Sequence, residues 1–112
     1  MISGIGIDIE SIKNFKKSYK DKHFLDLIFT KEEIRYCQSK KEPYISFAGK
    51  FCAKEAVIKA YNKEISIKKI EIINLKSGKI IVKTNGRINN KIKCSISHKE
   101  DYAVSFVTIE NG

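Results

Sequence analysis

Between Pro43 and Tyr61 runs a stretch that is apolar on two opposite sides. A small fold accommodates such a segment by wrapping the rest of the chain around it. Placed at about 100° intervals around a helix axis, Tyr44, Phe47, Phe51 and Ile58 form one stripe, while Cys52, Ala53, Ala56, Val57 and Ala60 cover most of the opposite side. Pro43 suits the first helical position, where its missing N–H has no intrahelical partner to lose. The spacing predicts one long, largely buried helix. Between its apolar zones lie Lys50 and Lys54 on one flank and Glu55 and Lys59 on the other. Lysines four residues apart repel unless an anion lies between or beyond them. A carboxylate bordering a buried face needs a strong partner to stay ionised. The helix reads as built around a charged ligand.

The flanking segments supply what covers it. Ile5, Ile7 and Ile9 alternate with Gly4, Gly6 and Asp8, which predicts a strand over residues 2–9 with one aliphatic face and one nearly bare. From Ser11 the period becomes helical: Ile12, Phe15 and Tyr19 recur on one side, and Lys13, Lys16, Lys17 and Lys20 collect on another. Thr30 and Glu33 have the spacing of a capping box, opening a second short helix to about Gln38. After Asn62 the pattern predicts strands at 70–75 and 80–84 joined by a turn at Ser77-Gly78, then a turn at Asn85-Gly86. Two further strands follow at 92–97 and 102–109, linked by a loop holding His98, Lys99, Glu100 and Asp101. One strand, then helices, then an antiparallel meander is an α+β architecture: an antiparallel curved sheet packed by one long helix and shorter helices. With a single proline and no Ser/Gly-rich linker, residues 1–112 read as one domain.

Charge narrows the partners. Twenty-two Lys+Arg against 13 Asp+Glu give +9, a field that draws in nucleic acid, phosphorylated cofactors, anionic membrane or an acidic protein. No stretch approaches the roughly 18 apolar residues of a membrane span, and Met1 to Glu10 lacks the pattern of a signal peptide. A soluble, cytoplasmic protein with no membrane partner is expected. Cys37, Cys52 and Cys94 include no CxxC pair and read as reduced core thiols. A noncatalytic nucleic-acid-binding domain is the competing class, favoured by the charge and by an acid-free basic run over residues 76–99. Against it, the only arginines are Arg35 and Arg87, whereas base-edge readout leans on bidentate Arg, and no RNA-binding sheet motif is present. No nucleic-acid partner is expected.

Three constellations carry chemistry. In Gly4-Ile5-Gly6-Ile7-Asp8 two glycines open space beside a strand carboxylate; the pattern is neither GxGxxG nor a GxxxxGK[ST] phosphate loop. The second is Lys54-Glu55 with Lys59, and the third is Ser95-Ile96-Ser97-His98 near a strand end. Each alone also fits a bland role: Asp8 as a helix cap, the lysines as solvated charges, Glu55 in an i,i+4 pair, His98 as a structural histidine.

In this order and spacing the three blocks resemble the holo-acyl-carrier-protein synthases, the small 4'-phosphopantetheinyl transferases. Their GxD strand, FxxKExxxK helix and SxSH segment are matched by Gly6-Ile7-Asp8, by the run from Phe51 to Lys59 and by Ser95 to His98; also similar are Phe29-Thr30-Lys31-Glu32-Glu33, Phe47-Ala48-Gly49-Lys50-Phe51 and Asp101-Tyr102-Ala103. The resemblance spans nearly the whole chain. It implies the 4'-phosphopantetheinyl transferase fold and transfer of the 4'-phosphopantetheine arm of coenzyme A to a serine of apo-acyl carrier protein, in support of fatty acid biosynthesis. It further implies Asp8 and Glu55 as ligands of a Mg²⁺ and Lys59 as a catalytic phosphate ligand. Lys50, Lys54, Ser97 and His98 become coenzyme A contacts. Lys13, Lys16, Lys17 and Lys20 would form the docking face for an acidic carrier protein, although Asn14 stands where relatives often carry an arginine. A homotrimer with active sites between subunits is implied as well.

Overall fold

The computed structural model describes residues 1–111; Gly112, the last residue of the expected domain, lies outside the described residues. Strand β1 (Ile2–Ser11) is followed by helices α1 (Ile12–Ser18), α2 (Lys22–Ile28), α3 (Lys31–Gln38) and α4 (Pro43–Ala60). After a short 3₁₀ turn (Ile67–Lys69) come β2 (Ile70–Asn74), β3 (Ile80–Thr84), β4 (Arg87–Ile88), β5 (Ile92–Lys99) and β6 (Tyr102–Glu110). The α+β class, the long helix and the antiparallel pairing are as the periodicity predicts.

Helix α4 is the axis of the molecule. Ala53, Ala56, Val57 and Ala60 pack into a core with Ile70, Ile72, Val82, Ile92, Val107 and Ile109. Phe47, Ala48 and Cys52 join a second core with Ile12, Phe15, Leu25, Phe29, Cys37 and Ala103. Strand β1 lies directly on the helix backbone. A Cβ added at Gly6 would stand 1.9 Å from the Ala56 carbonyl oxygen, and one at Gly4 2.0 Å from that of Ala60. The two glycines therefore set the separation of strand and helix, because any side chain there would force them apart.

Two details differ from the sequence reading. The strands form two three-stranded sheets, ordered β1-β6-β5 and β2-β3-β4, rather than one curved sheet. The chain leaves β3 through a tight turn with positive φ at Asn85 (52°) and Gly86 (81°) and pairs only Arg87 and Ile88 back onto β3. It then departs, so β5 joins β6. The second difference lies between α1 and α3. Helix α1 stops at Ser18, and Asp21 caps a separate helix, its carboxylate accepting from the Phe24 N–H. That short capped turn was hidden because Phe24, Leu25 and Ile28 cover less than two turns, too few for a periodic signal. Among the described residues no helix is long and apolar enough to cross a membrane.

Candidate active site

Strand β1 alternates strictly: Ile5, Ile7 and Ile9 are exposed, while Gly4, Gly6, Asp8 and Glu10 face α4. With glycine at the first two inward positions, the acids at the next two are the first side chains on that face. Lys59, in the last turn of α4, reaches across to them. Its ammonium donates to the Ile7 carbonyl at 2.9 Å and to Asp8 Oδ1 at 3.2 Å. Asp8 Oδ2 is buried and has no hydrogen-bond partner.

Glu55, one helical turn before Lys59, belongs to the same field. Burial pushes its carboxyl above the usual carboxylate range, the Asp8 charge pushes it further, and Lys59 opposes both. Glu10 is raised to about 8, first by burial, then by a hydrogen bond with the Asp8 carboxylate and by the charges of Asp8 and Glu55, against Lys59. Asp8, Glu10, Glu55 and Lys59 thus form one interacting cluster with more negative than positive charge. Hard oxygens on separate elements, one of them buried and unpaired, are the donor type that a hard dication would take. Among the described residues no three His, Cys, Asp or Glu side chains gather closely enough to hold a metal by themselves.

On the other side of α4, nine residues or about 180° from Lys59, Lys50 points toward β2. Its ammonium donates to the Ile72 carbonyl and to Asn74 Oδ1, both at 2.6 Å, and lies 4.4 Å from the Tyr36 ring centre. Burial lowers its pKa. Two of its three N–H donors are engaged. Lys50 and the exposed His98 line a cleft of about 280 Å³ together with Tyr36, Ser46, Asn74 and Ile96. Those two expected coenzyme A contacts are brought together.

Lys54 and Ser97 are not. Lys54 is wholly buried, its ammonium donating to Glu33 Oε1 at 2.5 Å and to the Ile28 carbonyl at 2.7 Å, with the Phe29 ring 5.2 Å away. The anion that the Lys50–Lys54 spacing demands is therefore the protein's own Glu33, and Lys54 has no face to offer a phosphate. Ser97 pairs with outward-facing Val104 and His98 with buried Ala103, so the serine lies on the opposite side of the sheet from the histidine's cleft. The docking lysines are all exposed, with Lys16 over the Tyr44 ring and Lys20 over the Tyr19 ring. Lys20 sits in the turn beyond α1, not on the helix with the other three. Glu10 and Glu33 escaped the sequence reading. Ending the strand at residue 9 hid the period-2 relation of Asp8 and Glu10, and the capping box gave Glu33 a sufficient local role.

The family described as the 4'-phosphopantetheinyl transferase superfamily matches residues 4–107. A holo-[acyl-carrier-protein] synthase of Thermodesulfovibrio yellowstonii is 43% identical, over 97% of this chain and 99% of its own. Among solved structures, the holo-(acyl-carrier-protein) synthase of Bacillus anthracis, in complex with CoA (3',5'-ADP), superposes with a TM-score of 0.85 at 33% identity, over 100% of this chain and 99% of that one. That of Helicobacter pylori, in complex with coenzyme A, gives 0.77 at 28% identity, covering 95% and 99%. The nucleic-acid-binding reading finds no support among these matches. With the sequence blocks, the fold and the acid–lysine cluster in agreement, the chain belongs to the holo-[acyl-carrier-protein] synthases of the 4'-phosphopantetheinyl transferase superfamily.

Proposed function

We propose that the chain transfers the 4'-phosphopantetheine group of coenzyme A to a serine hydroxyl of apo-acyl carrier protein and releases adenosine 3',5'-bisphosphate. The observation that carries this reading is the meeting of Asp8, Glu55 and Lys59 in one charge cluster, with Lys59 on one Asp8 oxygen and the other oxygen buried and unpartnered. In the transfer the serine oxygen forms a bond to the pantetheine-side phosphorus, and the bridging oxygen leaves with the nucleotide. Charge accumulates on the diphosphate, so positioning and electrostatic stabilisation dominate the rate. Asp8 and Glu55 would hold a Mg²⁺, whose charge neutralises the diphosphate. Lys59, partly exposed, swings from Asp8 to a phosphate oxygen. The serine proton passes either to Glu55 or to a water that a carboxylate of this cluster orients. Glu10 adds a third carboxyl to the same field.

Lys50 and His98 take the nucleotide end of coenzyme A in their cleft. They lie across α4 from Asp8 and Glu55, and Ser97 faces the other side of the sheet. Separation of the two halves within one chain supports a homotrimer in which each site is completed by a neighbour. The exposed row of Ile5, Ile7, Ile9, Val104 and Phe106 supplies apolar surface for such an assembly. Lys13, Lys16, Lys17 and Lys20 offer the acidic carrier a basic face, and three free thiols suit the cytoplasm. The test mixes the pure protein with coenzyme A, Mg²⁺ and apo-acyl carrier protein and weighs the carrier. A gain of one phosphopantetheine is expected; an unchanged mass refutes the reading.

A further inference from the structure

Glu33 carries more than a local cap. It is 1% exposed. Its Oε1 accepts from the Thr30 N–H at 2.9 Å and from Lys54 Nζ at 2.5 Å, and its Oε2 accepts from the Ile72 N–H at 2.7 Å. The capping box uses only the first of these; the other two tie α3 to α4 and to β2. Lys54 is the residue before Glu55, so the pair fixes which way the helix is turned where the active-site carboxylate begins. Turning α4 by one residue, about 100°, would bring Glu55 against Glu33 and bury two carboxylates together, which like-charge repulsion and desolvation forbid. The opposite side of the helix has no comparable device. There α4 meets β1 through the glycine seam; its one ion pair, Lys59 with Asp8, is half exposed on the lysine side, and its other side-chain contacts are neutral: Ser105 Oγ donates to the Cys52 carbonyl, and Cys52 Sγ to the Asp8 carbonyl.

We infer that Glu33 is a positioning residue for the transfer reaction, acting through Lys54 to hold α4 in the rotation that turns Glu55 and Lys59 toward Asp8. The inference rests on the reading of Asp8 and Glu55 as cation ligands. Some buried ion pairs fix arrangement rather than add stability, and replacing both partners by apolar residues of similar volume is often neutral or stabilising. Glu33→Leu with Lys54→Met therefore separates positioning from mere support.

The probe is Mn²⁺, titrated in the presence of coenzyme A and followed by the electron paramagnetic resonance of the free ion. The parent binds Mn²⁺ and Glu55→Gln does not; if that control binds like the parent, the ligand assignment is wrong and the inference falls with it. The double variant is expected to melt within a few degrees of the parent and to bind Mn²⁺ about tenfold more weakly, the scale of losing an outer-shell partner. Its kcat falls while its KM for the carrier protein holds, because the basic face is untouched. Parental Mn²⁺ affinity and kcat in the folded double variant overturn the inference. Should the double variant not fold, Glu33→Asp, which keeps the charge but withdraws it by one methylene, is expected to weaken Mn²⁺ several-fold, and parental affinity there overturns it equally.

Discussion

Helix α4 carries two lysine–carboxylate pairs five residues apart that do opposite work. Lys54 and Glu33 are both 0% exposed in their side chains and 2.5 Å apart, and the carboxylate accepts three hydrogen bonds. Lys59 and Asp8 are 3.2 Å apart with side-chain exposures of 54% and 11%, and one Asp8 oxygen has no partner. The first pair is complete and belongs to the architecture. The second is left open, with the Glu10 carboxyl beside it, and is the pair to which the proposed cation would come. Equal chemistry in two neighbouring turns thus divides by polar satisfaction: one carboxylate has its partners within the fold, and the other keeps an oxygen free.

The largest contrast is expected in catalysis. Glu55→Gln removes a charge from the incomplete cluster, and transfer to the carrier, followed by mass, falls by about a hundredfold or more while the melting temperature holds or rises, since carboxylate repulsion is relieved. Stability comes next and runs the other way. Lys54→Met alone leaves Glu33 buried without its counter-charge and costs about 3–5 kcal/mol in urea unfolding, whereas Lys59→Met changes stability by less than about 1 kcal/mol. Comparable losses from the two would erase the distinction. A subtler effect is set by Glu10, whose carboxyl is raised from 4.5 to about 8. The folded protein then keeps a proton that the unfolded chain releases, so this contribution is full below pH 4.5 and is lost as pH rises toward 8. Melting curves without added divalent cation should decline over that window, and Glu10→Gln should flatten them; an unchanged slope removes Glu10 from the cluster. The smallest effect concerns lysines with no carboxylate at all: Lys16→Glu with Lys20→Glu raises the carrier KM several-fold and leaves that for coenzyme A unmoved, measured by steady-state transfer.

Much of this division was legible in the residues, and its limits are physical. The two-sided apolar pattern of 43–61 located the helix, and the spacing of Lys50 with Lys54 required an anion. Periodicity says nothing of which distant residue supplies it, so Lys54 read as a ligand for phosphate until Glu33 was placed beside it. Asp8, Glu55 and Lys59 were found by motif, since no local rule brings β1 onto the last turns of α4. The break of the meander into two sheets depends on a two-residue strand and a positive-φ turn, features too short for any period to register.

The glycine seam has one more implication. Carbonyl oxygens of α4 rest against the β1 backbone with no side chain between them, so strand and helix behave as a single plate. A push on either, whether from warming or from a protein docking nearby, carries Asp8 and Glu55 along together. Translation of the seam therefore leaves the two acids in step, and rotation of α4 about its own axis, which the Glu33–Lys54 pair opposes, is the movement that would part them.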